Sequence, residues 1–343
     1  MKHIKVTAWI AIVCLTIACQ SQKITDKNRA TKPEEKIVLA YVTSWSRIIP
    51  DPAHLTHINY AFGHVADTFD EVRINNEDRL KQLVGLKKQK PSLRILLSIG
   101  GWGSGRFSEM AADANYRRSF AGDCRRVVDT FGLDGIDIDW EYPTSDMAGI
   151  SASPADKDNF TLMMKDIRQA IGADKLLTLA TAAGAQYIDF RGIDPYVDFV
   201  NIMSYDMGNP PYHHSGLYRS EHTGSLSVDE AVKAHINAGV PVRKLVMGIP
   251  FYGRGRKETG NFSNYKNIIT LHQFEKKWDD VAQAPYLSSD SIEFVCGYDD
   301  PRSIALKCEY IIEKGMLGAM YWDYDGDDSE GTLRRAVFNG LNK

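Results

Sequence analysis

Four acidic side chains stand close together in the stretch FGLDGIDIDWEYP, residues 131–143. Side chains alternate between the two faces of a strand, so Asp137, Asp139 and Glu141 point the same way, about 7 Å apart along the backbone. The residues between them are apolar and point the other way. Asp134 has the opposite parity, and we interpret it as structural. A row of three carboxylates on one face predicts acid–base chemistry.

Carboxylates at this spacing cannot all be ionised at low cost in a partly desolvated site, because burial and like charges both raise a carboxyl pKa. We therefore expect at least one proton to be retained at neutral pH, with the outermost residue, Glu141, as the general acid. A solvated acidic face and a Ca²⁺ or Mg²⁺ site are the alternatives. The apolar opposite face argues against the first. Alternate positions of one strand, without loop oxygens, surround an ion poorly, so we expect no metal.

The elements that must position this row alternate between strand-like and helix-like segments. Short, nearly continuous apolar runs predict parallel strands covered by helices. The predicted strands are Ile37–Thr43, His57–His64, Arg94–Ile99, Gly135–Trp140, Leu176–Ala182, Phe199–Ser204, Lys244–Pro250 and Leu317–Trp322. Between them, SVDEAVKAHINAG predicts a helix with a capping box at Ser227 and Glu230 and an end at Gly239.

Eight β/α units in about 300 residues favour an α/β fold of the (β/α)8 TIM-barrel type over a doubly wound sheet. The absence of GxGxxG after the first strand argues against a dinucleotide-binding fold. In a barrel the acidic row would face the interior and climb toward the C-terminal mouth, where such enzymes carry their chemistry. An overlong connection predicts a short insertion after the seventh strand, at about 255–300, with a strand at Ile292–Val295.

The stretch DGIDIDWEYP resembles the DxxDxDxE signature of glycoside hydrolase family 18, the chitinases and their relatives. Four more stretches resemble motifs of this family, in the family's order. They are LLSIGGW at 96–102 (SxGG, third strand), NIMSYDM at 201–207 (MxYD, sixth strand), MGIPFYGR at 247–254 (end of the seventh) and GAMYWDYDGDD at 318–328 (tryptophan of the eighth). The resemblance covers about residues 36–341 and implies a TIM-barrel hydrolase.

The resemblance implies a mechanism in which the substrate supplies the nucleophile. The 2-acetamido oxygen of the sugar would attack its own anomeric carbon, and water would open the resulting oxazolinium-type intermediate with retention. Glu141 would protonate the glycosidic oxygen and then activate the water. Asp139 would hydrogen-bond the acetamido N–H and share a proton with Asp137 beneath it. Tyr205 would donate its hydroxyl to the acetamido oxygen.

The same resemblance implies substrate-binding residues. Asp206 would hydrogen-bond the sugar in the −1 subsite, Met203 would line the acetamide pocket, and Trp322 would form the floor under the sugar ring. An aromatic plane suits this place because the apolar face of a pyranose packs well on it. Four further residues at strand ends are interpreted as cleft walls and sugar platforms: Trp45, Trp102, Tyr252 and Arg254.

Three functions stay open for such a site. The first is a chitinase that cleaves β-1,4 bonds of chitin or chitooligosaccharides. The second is an endo-β-N-acetylglucosaminidase that acts on the chitobiose core of N-glycans. The third is an inactive chitin-binding lectin, against which the presence of Glu141 argues. The short insertion predicts a shallow, open cleft suited to endo cleavage.

The N-terminus, residues 1–19, predicts a secretory signal. Its basic start precedes an apolar run that is too short to span a membrane and ends in LTIAC, which resembles a bacterial lipobox. We expect a lipid at Cys19, with ordinary signal cleavage as the alternative because threonine replaces the usual leucine. Residues 20–35 are polar and predict a flexible tether before the catalytic domain, 36–343. The expected location is the bacterial cell envelope, at the outer membrane or cell surface, after secretion across the inner membrane.

The charge and the cysteines add few constraints. The net charge of −3 and the pI near 6.3 give no electrostatic basis for binding nucleic acid, and membrane contact is expected only through the lipid. We expect no cofactor and a monomer whose partner is the glycan substrate. Cys124 falls on an apolar helical face and is expected to be a buried thiol, whereas pairing of Cys296 with Cys308 stays open.

Overall fold

A computed structural model describes Met1 and residues 36–343 of this chain. The predicted signal sequence, the lipid anchor at Cys19 and the tether at 20–35 lie outside the described residues. Within 36–343, no helix is both long and apolar enough to cross a membrane.

Eight parallel strands close into a barrel, as predicted, because the first strand pairs with both the second and the last. The barrel strands are β1 Ile37–Thr43, β2 His57–Val65, β4 Arg94–Gly100, β5 Gly135–Asp139, β6 Leu176–Ala182, β7 Phe199–Met203, β8 Leu245–Pro250 and β14 Gly318–Trp322. A short strand, β3 Val72–Ile74, pairs antiparallel with β2 outside the ring. The predicted TIM-barrel fold is therefore confirmed.

Helices cover the outside of the barrel. They are α1 Glu77–Gly85, α2 Phe107–Ala112, α3 Ala114–Phe131, α4 Asp156–Ile171, α5 Phe190–Ile193, α6 Val228–Ala238, α7 Tyr265–Ile268, α8 Pro301–Lys314 and α9 Thr332–Leu341. Short 3-10 turns lie at Pro52–His54, Leu86–Lys88, Val242–Lys244 and Tyr324–Gly326. The predicted capping box of Ser227 and Glu230 opens α6, and Gly239 ends it in the left-handed region.

The predicted strand limits differ from the observed ones by only one or two residues. The strand predicted to run to Trp140 stops at Asp139, because pairing of β5 with β6 ends at Ile138. The strand predicted to start at Lys244 starts one residue later, after a 3-10 turn. Glu141 therefore lies just beyond β5, on the turn that follows it.

The insertion after β8 folds into a second sheet. Its strands are β9 Tyr252–Gly255, β10 Ser263–Asn264, β11 Glu275–Asp279, β12 Ala284–Ser289 and β13 Ile292–Gly297. These strands pair antiparallel in the order β10-β9-β13-β12-β11. The predicted strand Ile292–Val295 corresponds to β13, whereas the other four strands have no counterpart in the sequence-based prediction.

Alternate strand residues separate an outer apolar shell from the barrel interior. Ile136, Ile138 and Trp140 point outward into the core between barrel and helices, where Trp140 stacks on Phe107 of α2 with ring centroids 5.3 Å apart. A smaller apolar cluster that includes Leu39 fills the interior. The acidic residues of opposite parity therefore face the barrel axis, as the alternation predicted.

The three cysteines within 36–343 are free and buried. Cys124 is the buried thiol that its helical position predicted. Cys296 lies on β13 and Cys308 on α8, and both are free thiols, so the pair that the sequence left open does not form.

Asp134 links neighbouring elements at the N-terminal end of the barrel strands, as its structural interpretation predicted. Its carboxylate accepts a hydrogen bond from the Ile95 backbone N–H at 2.8 Å, and it forms ion pairs with Lys87 at 2.7 Å and Arg94 at 3.1 Å. These contacts join β5 to β4 and to the turn after α1 at the end opposite the acidic row.

We expect Asp134→Ala to lower the free energy of unfolding by about 2 kcal/mol, because it removes hydrogen bonds to charged groups and leaves a buried N–H unpaired. Urea unfolding would measure the change. Asp129→Ala is the matched control: Asp129 forms an exposed i,i+4 pair with Arg125, and exposed pairs of this kind contribute little to stability because solvent screens them. Equal losses in the two variants would contradict the structural role of Asp134.

Candidate active site

The C-terminal ends of the barrel strands open into one cleft with a volume of about 1140 Å³. The structure brings nearly all predicted site residues to this cleft. Its lining includes Asp139, Glu141, Tyr205, Asp206, Met203, Trp322, Trp45, Trp102, Tyr252 and Arg254. Asp137 does not line the cleft, because it is fully buried one layer below on β5.

Asp137 is held by four neutral donors in the barrel interior. Its Oδ2 accepts hydrogen bonds from the Tyr41 hydroxyl at 2.9 Å and the Ser98 hydroxyl at 2.8 Å. Its Oδ1 accepts from Thr178 at 2.5 Å and from the Asn201 amide at 3.2 Å. Burial raises the pKa of Asp137, although the four donors oppose this effect.

Asp139 is buried with far less support. Its Oδ1 has no hydrogen-bond partner among the described residues, and no hydrogen bond links it to Asp137. The expected proton shared by the two aspartates is thus not seen as a direct contact. Burial and then the charges of Glu141 and Asp137 raise the pKa of Asp139 well above its usual value. Asp139 is therefore the carboxyl in this row most strongly driven toward its neutral form.

Two glycines let the neighbouring strand approach Asp139 closely. Gly101 donates its backbone N–H to the carbonyl oxygen of Asp139 at 2.8 Å. A Cβ at Gly100 would overlap that same carbonyl, and one at Gly101 would press into the Phe62 ring. Both glycines have positive φ, which side chains disfavour. The SxGG segment thus shapes the site, and only Ser98 of this segment bonds an acid directly.

Glu141 sits at the cleft, at the top of the acidic row. Burial raises its pKa to about 7, and the negative charge of Asp206 acts in the same direction. A carboxyl with this pKa is partly protonated at neutral pH and can both donate and accept a proton. Within 36–343, no cluster of three or more His, Cys, Asp or Glu side chains has a metal-binding arrangement.

Tyr205 follows β7 and faces the acids. Burial raises the pKa of its hydroxyl well above the usual value, followed by the charges of Asp139 and Glu141. Among the residues that the structure describes, its only hydrogen-bond partner is the sulfur of Met320, at a weak contact distance of 4.0 Å. The hydroxyl therefore stays protonated and is a donor for a group that enters the cleft.

Asp206 is already engaged by the protein. Arg254 binds it in two places, with Nε–Oδ1 and Nη2–Oδ2 distances of 2.6 Å each, and the Tyr252 hydroxyl donates to Oδ1 at 2.7 Å. His214 lies 3.6 Å away. Burial opposes ionisation, but the contacts with His214 and Arg254 outweigh it and hold the pKa of Asp206 well below its usual value. Asp206 is thus a fixed negative charge beside Glu141.

Aromatic rings form the floor and the rims of the cleft. Trp322 stacks on Phe62 with centroids 5.6 Å apart and an angle of 20°. Trp45 and Trp102 stand at the rims with 65% and 61% of their surface exposed, which is unusual for tryptophan in a monomeric domain. Rings exposed in this way are available to pack against a flat apolar face of a ligand.

Five aromatic residues of the cleft were not among the predicted site residues: Tyr41, Phe62, Tyr142, Tyr187 and Phe262. Tyr142 and Tyr187 stack with centroids 4.9 Å apart, and Phe262 stacks on Tyr252 at 4.3 Å. No spacing signal marks Tyr187 or Phe262, because both lie on loops whose paths depend on tertiary contacts.

The sequence matches a known protein family over most of its length. The model of the glycosyl hydrolases family 18 matches residues 37–327, most of the chain. This range includes every residue of the cleft. The chain belongs to family 18.

Curated relatives in family 18 carry the names of chitinases. Chitinase A1 of Niallia circulans is 33% identical over 87% of this chain, which spans 48% of that relative's length. Chitinase 1 of Aphanocladium album is 30% identical over 78% of this chain and 70% of the relative. The chain thus spans about half of the first of these two relatives and somewhat more than two thirds of the second.

Solved family 18 structures share the fold. An N-acetylglucosaminidase from Paenibacillus barengoltzii superposes with a TM-score of 0.82 at 35% identity, over 90% of this chain and all of the other. Chitinase ChiW from Paenibacillus sp. str. FPU-7 superposes with a TM-score of 0.83 at 30% identity, over 90% of this chain and 43% of that one. The fold and the glycoside hydrolase class are therefore established.

We expect the Glu141 carboxyl to titrate near pH 7 rather than at its ordinary value of 4.5. Its carbon-13 chemical shift, assigned by comparison with Glu141→Gln, would report the midpoint. Asp206→Asn should move this midpoint to lower pH, because it removes a nearby negative charge. A wild-type midpoint near 4.5, unaffected by Asp206→Asn, would contradict the electrostatics described here.

Proposed function

We propose that this protein is a chitinase that hydrolyses β-1,4 bonds between N-acetylglucosamine units, with retention and with the substrate's own acetamide as nucleophile. The observation that carries the proposal is that Asp139, Glu141 and Tyr205 line the same cleft as Trp322 and lie close enough for their charges to act on one another. The family membership and the names of the relatives support the substrate class.

In the first step, Glu141 gives its proton to the glycosidic oxygen, and the leaving sugar departs with that proton. The acetamide oxygen bonds to the anomeric carbon as the glycosidic bond breaks. A pKa of about 7 allows Glu141 to donate a proton and to accept one near neutral pH. In the second step, Glu141 takes a proton from a water molecule, whose oxygen attacks the anomeric carbon from the face that the leaving sugar vacated. The bond to the acetamide oxygen on the opposite face breaks, which restores the acetamide and leaves the product with the configuration of the substrate.

Asp139 and Tyr205 act on the two ends of the acetamide. The free oxygen of Asp139 accepts the N–H, and the partial positive charge that develops on the amide favours the ionised form of this carboxyl. Tyr205 donates to the acetamide oxygen from the other side. Asp137 contributes through its fixed position beneath Asp139 and through its charge.

The remaining cleft residues bind the sugars. Trp322 lies under the ring at the reaction centre, and Met203 lines the acetamide pocket. Trp45 and Trp102 add exposed aromatic surface to the same cleft. Asp206, which Arg254 and Tyr252 hold in place, presents a fixed acceptor to a sugar hydroxyl. The exposed rims suit internal cleavage of soluble chains.

A second candidate is release of single N-acetylglucosamine units. It is favoured by the 35% identity with the N-acetylglucosaminidase, a structure that this chain covers in full. The same residues would perform the same chemistry, and only the reach of the subsites would differ. Cleavage of the chitobiose core of N-glycans is a third substrate choice with this chemistry.

We expect Glu141→Gln to lower kcat on chitotetraose by about 10²- to 10⁴-fold, because general acid–base catalysis contributes that much. Binding of chitotetraose, measured by calorimetry, should persist, since the amide keeps the shape of the carboxyl. A thiazoline analogue of the intermediate should inhibit the wild type strongly. Near-normal turnover by Glu141→Gln, or an initial product of inverted anomeric configuration, would refute the mechanism.

The substrate choice is tested by offering chitohexaose and a high-mannose glycoprotein side by side, with product masses recorded from the first seconds. Internal cleavage predicts a mixture of chitodisaccharide to chitotetraose at early times. Early release of the monosaccharide alone would favour the second candidate. Loss of the glycan from the glycoprotein, with chitohexaose intact, would favour the third.

We also propose a lipid anchor at Cys19 in the bacterial cell envelope, on the strength of the lipobox-like sequence. The catalytic domain begins with β1 at Ile37, at the end of the barrel opposite the cleft. Labelled palmitate should enter the wild-type protein but not Cys19→Ala. The variant should also appear in the soluble fraction. Equal labelling of both proteins, or a soluble wild type, would refute the anchor.

A further inference from the structure

A fully buried ion pair lies outside the cleft, next to the β7 end of the barrel. The Lys307 amino group on α8 contacts the Asp299 carboxylate at 2.7 Å, and their side chains are 0% and 1% exposed. Asp299 ends the insertion, immediately before α8. Its second oxygen accepts a hydrogen bond from Ser303 at 2.6 Å. Such a pair is costly to bury, and replacing it with neutral residues is often no less stable.

Lys307 also contacts a residue other than Asp299. Its amino group also donates to the Ser215 hydroxyl at 2.8 Å, and this hydroxyl donates to the Ser204 carbonyl at 2.8 Å. Since Lys307 occupies the acceptor side of Ser215, the serine proton is directed to the carbonyl. A charged donor at the start of such a chain strengthens the hydrogen bond that follows it.

Ser204 immediately precedes Tyr205. Its side chain continues the contact between β7 and β8 beyond the point where their backbone pairing ends. Pairing of β7 with β8 stops at Ile202. Beyond that point the Ser204 hydroxyl donates to the Gly248 carbonyl at 2.8 Å and accepts the Gly248 N–H at 3.0 Å. A Cβ at Gly248 would press into the Tyr205 ring, so this ring lies directly against β8.

We propose that Lys307, Asp299 and Ser215 are positioning residues for catalysis, which hold Ser204 so that the Tyr205 hydroxyl meets the acetamide of the substrate. None of the three lines the cleft. The inference deepens the proposed function and rests on the role given there to Tyr205. It also assigns a task to the insertion, whose end supplies Asp299.

The test compares Ser215→Ala, Lys307→Met and the double variant Lys307→Met/Asp299→Asn. The single lysine variant leaves a carboxylate buried without a partner and should melt at a lower temperature. The double variant carries no such charge and should melt close to the wild type. Lys314→Met is the matched control, because Lys314 lies on the same helix with an exposed amino group beside Glu313.

In the double variant and in Ser215→Ala we expect kcat on chitotetraose to fall about tenfold while KM stays within about twofold, since small displacements of a catalytic group lower the rate of the chemical step. Affinity for the thiazoline analogue should fall by a similar factor. The control should keep both values. A double variant with wild-type melting temperature and wild-type kcat would show that the pair is merely structural and would overturn the proposal.

A readout that does not depend on the substrate separates this inference from the proposed function. Amide hydrogen exchange of residues 204–206 should become faster in the double variant and in Ser215→Ala, but not in Lys314→Met. Unchanged exchange there would overturn the positioning role even if kcat fell. Faster exchange in these two variants, combined with a wild type that does not turn over chitooligosaccharides, would instead refute the proposed function and leave the positioning role intact.

Discussion

The structure depends on burying three carboxylates in a barrel without giving them a cation. Within residues 36–343, no ion pair reaches Asp137, Asp139 or Glu141, and the pKa of each is raised. By contrast, Asp134 at the start of β5 and Asp206 beside Glu141 both contact cations, and their pKa values are lowered. Neutral hydroxyl and amide donors fix the position of Asp137 at the base of the row. A lysine in the same place would secure the fold but hold the acids ionised and unable to give up a proton.

This constraint explains much of the surrounding sequence. Asp137 needs donors on the strands at both sides of β5, and Ser98 and Thr178 occupy those places in register. Asp139 must stay close to β4 without a side chain between them, which requires glycine at 100. Outside the barrel, Trp140 and its neighbours have the opposite task and fill the space under the helices. The two faces of β5 thus lie in different environments. One face packs in the apolar core under the helices, and the other faces the polar interior of the barrel that contains the acids.

The sequence predicted the barrel and the acidic row well because both follow from local periodicity. Apolar runs located the barrel strands to within one or two residues, and parity placed Asp137 and Asp139 on the axis. The sequence did not predict four of the insertion strands. Of these, β10 is short and β11 is polar, so both form by pairing with neighbouring strands and leave no apolar pattern in the sequence. Phe262 and Tyr187 escaped because the path of a loop decides whether its aromatic residue reaches a cleft. The engagement of Asp206 by Arg254 escaped because the partners are 48 residues apart in the chain.

The short insertion does more than deepen one wall of the cleft. Its first strand carries Tyr252 and Arg254, which hold Asp206, and its middle carries Asp279, which contacts His213 at 3.3 Å. The backbone N–H of Leu217 donates to the carbonyl of Ala282 in the same insertion. Two separate parts of the insertion, β9 and the turn at 279–282, therefore contact the loop after β7, which begins with Ser204 and Tyr205. The insertion thus helps to fix the loop that carries Tyr205, in addition to forming part of the cleft wall through Tyr252 and Arg254.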